Sequence, residues 1–191
     1  MSNMDKTGSI RLRAIEPEDL SLLKQWRNEL KDFYREYRFI NQPHQERWYE
    51  TTIGDVRYVY YAIDVWDGKW CLVGSCGWCW IDWLNRHCDL SIYIGDFKWR
   101  NRGLGLKAMI QLHEIAFHEW NMHTVRLEVL SFNPAVEFYL KFGYKEVGRW
   151  RSAHWHDCEF HDSVLMDMTA AEWRAEWNDR YSQMRVEVPN R

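Results

Sequence analysis

Apolar and polar positions alternate along Ile10-Arg-Leu-Arg-Ala-Ile15, the two-residue period of a strand with one face buried. Glu16-Pro17-Glu18-Asp19 follows with a proline and three acidic residues, a helix start that the pattern carries to about residue 29. Phe33 to Tyr49 is aromatic, charged and only weakly periodic; with Pro43 inside, it reads as a loop followed by a short helix near Gln45 to Thr51. Tyr58 to Trp66 and Lys69 to Ile81 are strand-like runs joined by Asp67-Gly68, a strong hairpin signal. A further strand spans His87 to Ile94, and Arg100 to Gly105 leads into a helical pattern marked by Leu106, Met109, Ile110, His113, Ala116 and Phe117. Val125 to Leu130 reads as a buried strand, and Pro134 to Phe142 as a helix closed by Gly143. Strands at Lys145 to Trp150 and Ser163 to Met168 flank a loop rich in His and Trp, and Thr169 caps a last helix from Ala170 to about Met184.

This order predicts one α/β domain with a mixed, mostly antiparallel sheet and flanking helices. Its expected limits are a frayed N-terminus over residues 1–9, the domain proper over 10–168 and a C-terminal helix and tail over 169–191. A chain of 191 residues buries enough apolar surface to fold without disulfides or metal. Trp173, Trp177 and Tyr181 form a stripe on the last helix that needs a cover, and a homodimer is the expected one.

Composition narrows the function. A net charge of −3 argues against a nucleic-acid partner, and ordinary hydrophobic and charged fractions of 46% and 28% against a membrane protein. The five cysteines include a C-x-x-C at Cys76 and Cys79, but strand alternation sets these two on opposite faces, poor geometry for a metal. An odd cysteine count without a leader-like segment points to reduced thiols and a cytoplasmic location. The 13 tryptophans weakly favour an amine ligand, because aromatic faces attract cations. Trp78, Trp80, Trp83, Trp150 and Trp155 are expected mostly in the core, with Trp155 the best cleft-wall candidate.

The most informative stretch is Asp89 through Gly105. A glycine turn after a strand lets backbone N–H groups converge at a helix N-terminus, where the helix dipole also favours a phosphate. Arg100 and Arg102 add positive charge suited to a pyrophosphate. A dinucleotide fingerprint is excluded, because the third glycine is missing. His154, His156, Cys158 and His161 crowd one loop; a hairpin loop over an acceptor cleft explains them as well as zinc does, and no metal is expected.

Arg100-Asn-Arg-Gly-Leu-Gly105 resembles the acetyl-CoA pyrophosphate loop of the GNAT N-acetyltransferases. Two further blocks follow at the family's spacing: Asn121 to Val129, and Asn133 through Tyr139 to Gly143-Tyr144. Ile94-Gly95-Asp96 and His161-Asp162 through Met166 bring it nearest the branch that acetylates ribosomal-protein alanine and spermidine. Asn133 and Tyr139 stand one residue closer together than the family pattern, while Tyr139 keeps its spacing to Gly143.

The resemblance implies two splayed strands, around Asp89 to Ile94 and Val125 to Leu130, with acetyl-CoA as co-substrate. Ile92, Tyr93 and Ile94 would hold it through their backbone, Arg100, Asn101, Arg102, Gly103, Leu104 and Gly105 would take its pyrophosphate, and Asn133 would take its pantetheine arm or cap a helix. An ammonium must lose a proton before attacking a thioester, and the leaving thiolate must gain one. Tyr139 is the implied acid, with Asp89 (through water) or Glu128 as base. Trp155 and Asp162 are candidate acceptor contacts. The acceptor would be a small-molecule or peptide amine: a polyamine, a protein N-terminus, an amino sugar or an antibiotic. The competing reading is a non-catalytic acyl-CoA-binding or partner-binding module on the same fold.

Overall fold

The first alternating run forms β1 (Ile10–Ala14), which pairs antiparallel with β2 (Val59–Trp66), itself antiparallel to β3 (Trp70–Asp82). The computed structural model describes residues 7–33 and 38–185, with side chains to residue 177, in two compact units. The first unit takes the described residues up to Ile81 together with Asp89–Met109. Its strand order is β1-β2-β3-β4, with β4 at His87–Ile94. Ala62, Ile63 and Val65 of β2 and Val73 of β3 are fully buried.

The predicted helix start is a short 3₁₀ turn at Pro17–Asp19, and α1 (Leu20–Glu29) follows, burying Leu23 and Trp26. An ion network ties this turn to the sheet: Arg13 bonds both Asp19 and the buried Asp64, and Arg11 joins it on Asp64. Burial works against the charged Asp19, but the Arg13 bonds and the Glu16 amide outweigh it and hold its pKa below the usual value. The next helix, α2 (Gln42–Thr52), starts three residues before its predicted position. Asn41 caps it by accepting from the His44 amide, and Pro43 sits in the first turn, where a missing N–H leaves no bond unmade.

The second unit takes Asp82–Cys88 and the described residues from Ile110 onward, with strand order β5-β7-β6. Its strands are β5 (Thr124–Leu130), β6 (Lys145–His156) and β7 (Glu159–Thr169), and both neighbouring pairs are antiparallel. The loop expected around the histidines is a correction: β6 and β7 continue through it, and only Asp157 and Cys158 turn the chain. Both have positive φ, the conformation of a two-residue hairpin turn, and neither is the glycine that usually signals one. The α/β class and the mostly antiparallel strands are as expected.

The helix α3 (Leu104–Glu114) runs on into a π turn at Ile115–Glu119. α4 (Ala135–Phe142) closes at Gly143, and α5 (Ala170–Arg185) ends the described chain. The stripe on α5 is covered by its own chain: Trp173 and Trp177 are 1% and 4% exposed, stacked at 5.4 Å and packed on Phe142. These two residues therefore give no reason for a dimer; Tyr181 lies outside the described side chains. Among the described residues no helix is long and apolar enough to cross a membrane.

Thr169 and Glu172 cap α5 reciprocally, each side chain accepting from the other's backbone N–H. Lys145 and Thr169 together draw the Glu172 carboxyl down to about 2. A depressed carboxyl stabilises the fold above the usual glutamate range, and that contribution is lost as pH falls toward about 2. Thr169→Ala is expected to cost about 1 kcal/mol in urea unfolding at pH 7. Glu172→Gln should flatten the loss of stability on acidification, as read by Tm across pH 2 to 6.

Candidate functional site

In the first unit, β4 ends in a bulge where the amides of Gly95 and Asp96 both donate to the Val73 carbonyl, at 2.8 and 3.1 Å. Trp26 packs against Gly95 so closely that a Cβ there would collide with the indole ring. Asp96 accepts from the Lys98 amide and sets a 3₁₀ turn over Phe97–Trp99. Arg100 then folds back, its Nε and Nη2 donating to the carbonyls of Ile94 and Gly95 at 3.0 and 2.9 Å. This side chain fixes the strand end to the loop, a structural task beside the pyrophosphate contact expected of it. Arg102 is exposed, its guanidinium over the Trp99 ring at 5.3 Å.

Asn101 and Gly103 both take left-handed backbone, at φ 58° and 75°, and α3 starts at once behind them. Leu104, Ala108 and Met109 are buried and fix the helix, while Arg102 and Gly103 are exposed. The first-turn amides of a helix have no intrahelical acceptor, so those following Gly103 are presented outward as donors. The arrangement is a small anion cradle at the positive end of a helix.

The same unit holds a cavity of about 460 Å³, lined by Ser91 and Tyr93 of β4 and by α1, α2 and the segment before α2. Tyr60 and Trp48 wall it, their rings edge to face at 5.3 Å. Burial, then the neighbouring Cys79, pushes the Tyr60 hydroxyl far above its ordinary pKa, so it stays a neutral donor. The residues contributed by α1 and by the segment entering α2 were not singled out as functional from sequence. Their signal was the density of aromatic and basic side chains between Phe33 and Tyr49, which the weak periodicity obscured.

Asp89, the first base candidate, is half-buried on β4, and its carbonyl accepts from the Cys79 thiol. In the second unit, Glu128 on β5 is held by the buried Ser163, which donates to its Oε1 at 2.6 Å, with His154 Nε2 at 3.4 Å. Tyr139 is half-buried on α4, its ring against Phe138 and Tyr144. Asn133 Oδ1 accepts from the Ala135 amide, a local turn one residue ahead of Pro134, which is the N-cap of α4. Asp162 Oδ1 accepts from the Ser152 amide across the irregular part of the β6–β7 hairpin.

Most of the expected core tryptophans are a correction. Trp78 is fully buried, but Trp80, Trp83, Trp150 and Trp155 are 54%, 47%, 54% and 63% exposed. Trp80 sits at a positive φ that turns it out of β3, whereas Trp150 and Trp155 lie on β6, most of whose residues are exposed. Trp155 meets Phe160 edge to face on the hairpin surface. His156 and His161 pack on Phe132, at 4.7 and 4.6 Å between ring centres.

Residues 9–145 match the family model described as an acetyltransferase (GNAT) domain. Among solved structures, the spermidine N-acetyltransferase of Vibrio cholerae, in complex with CoA and spermine, is similar, with a TM-score of 0.79 and 21% identity over 86% of this chain and 97% of that one. A chimera of that enzyme, SpeG, with hSSAT gives a TM-score of 0.77 at 22% identity, covering 86% and 97%. At such identity the likeness is one of fold.

Proposed function

The chain belongs to the GNAT acetyltransferase family, which uses acetyl-CoA as co-substrate, and we propose that it acetylates a primary amine on a small molecule or peptide by direct attack on the thioester. The observation that carries this reading is the left-handed turn at Asn101 and Gly103, which presents first-turn amides of α3 immediately after the bulged end of β4. Those amides suit the pyrophosphate, and the backbone of Ile92, Tyr93 and Ile94 suits the pantetheine arm.

In the reaction the acceptor ammonium first loses a proton to a carboxylate, directly or through water. The free amine attacks the acetyl carbonyl, the C–S bond breaks as the CoA thiolate takes a proton from the acid, and the nitrogen then sheds its second proton, which restores the acid. Tyr139 fills the acid's role. Asp89, acting through water, or Glu128, which Ser163 and His154 hold, fills the base's role. The substrates named for the structural neighbours bring polyamines forward as acceptors beside protein N-termini, amino sugars and antibiotics.

Thiol release from acetyl-CoA, followed with an Ellman-type reagent across a panel of such amines, tests the reading. The expected result is amine-dependent release, with the N-acetyl product seen by mass. Binding of acetyl-CoA without release for any amine would leave the acyl-CoA-binding module.

A further inference from the structure

We propose that Tyr144, anchored by the buried His113, is a positioning residue that sets the Tyr139 hydroxyl for its task as acid. This rests on the acetyltransferase reading above and on Tyr139 as the acid within it.

His113 of α3 is fully buried in the second unit, among the rings of Phe117, Phe142, Tyr144 and Trp173, whose centres lie 5.8, 4.9, 5.6 and 5.3 Å from its own. Its Nε2 shares a hydrogen bond of 2.7 Å with the hydroxyl of Tyr144, also buried, and the two rings stand at 90°. Stability alone does not account for this pair. Replacing both partners of a buried hydrogen bond by apolar groups of similar shape can be neutral or stabilising, and the surroundings here are already aromatic. What the bond adds among packed rings is direction, because a satisfied buried polar pair rigidifies its neighbourhood where apolar contacts alone let rings slide.

From this anchor the contacts lead to Tyr139. Gly143 takes left-handed backbone at φ 112° and closes α4, and the Tyr144 amide just beyond it donates to the Tyr139 carbonyl at 3.0 Å. The Tyr144 ring then meets the Tyr139 ring edge to face, at 5.9 Å and 63°. The backbone bond fixes neither side-chain torsion of Tyr139, so its ring contacts decide where the hydroxyl at the far end sits. A reacting group displaced by about 1 Å can lose about 10²-fold in rate, so a small shift of the Tyr144 ring is enough to matter.

Single-turnover acetyl transfer to an amine that the wild-type protein uses provides the test, in Tyr144→Phe, Tyr139→Phe and the variant carrying both. Tyr144→Phe keeps every ring and removes only the anchor. The expected result is a rate lower by about tenfold, and by at least about threefold, in Tyr144→Phe, with the acceptor KM and the Tm rise given by acetyl-CoA nearly unchanged. Added to Tyr139→Phe, the same substitution should cost less than about twofold, since the group it positions is already gone. His113→Leu combined with Tyr144→Phe separates placement from stability: it leaves no polar group unpaired, so its Tm should lie above that of Tyr144→Phe while its rate stays low. That variant also carries the test if Tyr144→Phe alone fails to fold. A rate within about threefold of wild type in a folded Tyr144→Phe, an equal loss in both backgrounds, or a rate that recovers together with Tm overturns the inference and leaves Tyr139 as the acid. A Tyr139→Phe rate equal to that of wild type overturns both the inference and the acid's assignment, while thiol release by the wild-type protein keeps the acetyltransferase reading. Acetyl-CoA binding with transfer to no amine overturns all three.

Discussion

Gly103→Val is expected to abolish most of the thermal stabilisation that acetyl-CoA gives the wild-type protein. A ligand that binds only the native state at about 100 times its Kd adds about 2.7 kcal/mol, which raises Tm by roughly 5 to 10 °C for a chain of this size. Gly103 holds φ at 75°, and nothing lies within 4 Å of the position a Cβ would occupy. Backbone conformation, then, is what requires glycine here, and a side chain would not clash with the protein. A β-branched residue is strained there by at least about 1 to 2 kcal/mol, and relief of that strain re-aims the amides that follow. Loss of a charge-assisted bond to the pyrophosphate adds about 1.5 kcal/mol or more, for a total near 3 kcal/mol and an affinity about a hundredfold lower. At the same ligand concentration the remaining stabilisation is about 0.4 kcal/mol, too small for a clear Tm shift. Gly103 is exposed, so the ligand-free variant should still melt cooperatively. Gly103→Asn separates two causes, because asparagine tolerates left-handed backbone. Binding kept in Asn and lost in Val assigns the effect to conformation; binding lost in both assigns it to a side chain occupying the phosphate's space. A full shift in a folded Gly103→Val variant would remove the loop from the cofactor site.

Where local physics dictates structure, the sequence was readable. The alternation in Ile10 to Ile15, the Asp67-Gly68 turn and the Thr169 cap all act within a few residues, and each forms close to its expected place. The anion cradle was legible for the same reason, since a glycine turn feeding a helix is a local device. The β6–β7 hairpin extends beyond its sequence signal because its turn uses Asp157 and Cys158 in place of glycine. Its exposed aromatics follow from long-range pairing, which composition does not report: β6 pairs with β7 alone at the edge of its sheet, so Trp150 and Trp155 gain little cover. The α5 stripe was seen correctly as a surface needing cover, but which surface covers Trp173 depends on Phe142 and His113, distant in sequence. The cavity was hidden more thoroughly, because Gln45, Arg27 and Tyr60 come from three separate elements and have no common spacing.

Tyr139→Phe is expected to lower kcat by roughly 10²- to 10⁴-fold, the range of general acid catalysis, with fold and acetyl-CoA binding intact. The substitution removes one oxygen and keeps the ring, whose contacts with Phe138 and Tyr144 are made by its faces and edges. Because α4 also closes through the Tyr139 carbonyl, which accepts from the Tyr144 amide, backbone geometry is unaffected by losing the hydroxyl. A residue that merely packs would leave kcat within about threefold of wild type, and an effect confined to KM would indicate placement of the substrate. A phenol acting as acid must be protonated, so the wild-type kcat should fall at high pH as the hydroxyl ionises, and this limb should vanish in the variant. Slow product release can mask a chemical defect, and a pre-steady-state burst of thiol in wild type but not in Tyr139→Phe exposes it. Equal single-turnover rates in the two proteins would take Tyr139 out of the mechanism and leave protonation of the thiolate to solvent or to another side chain.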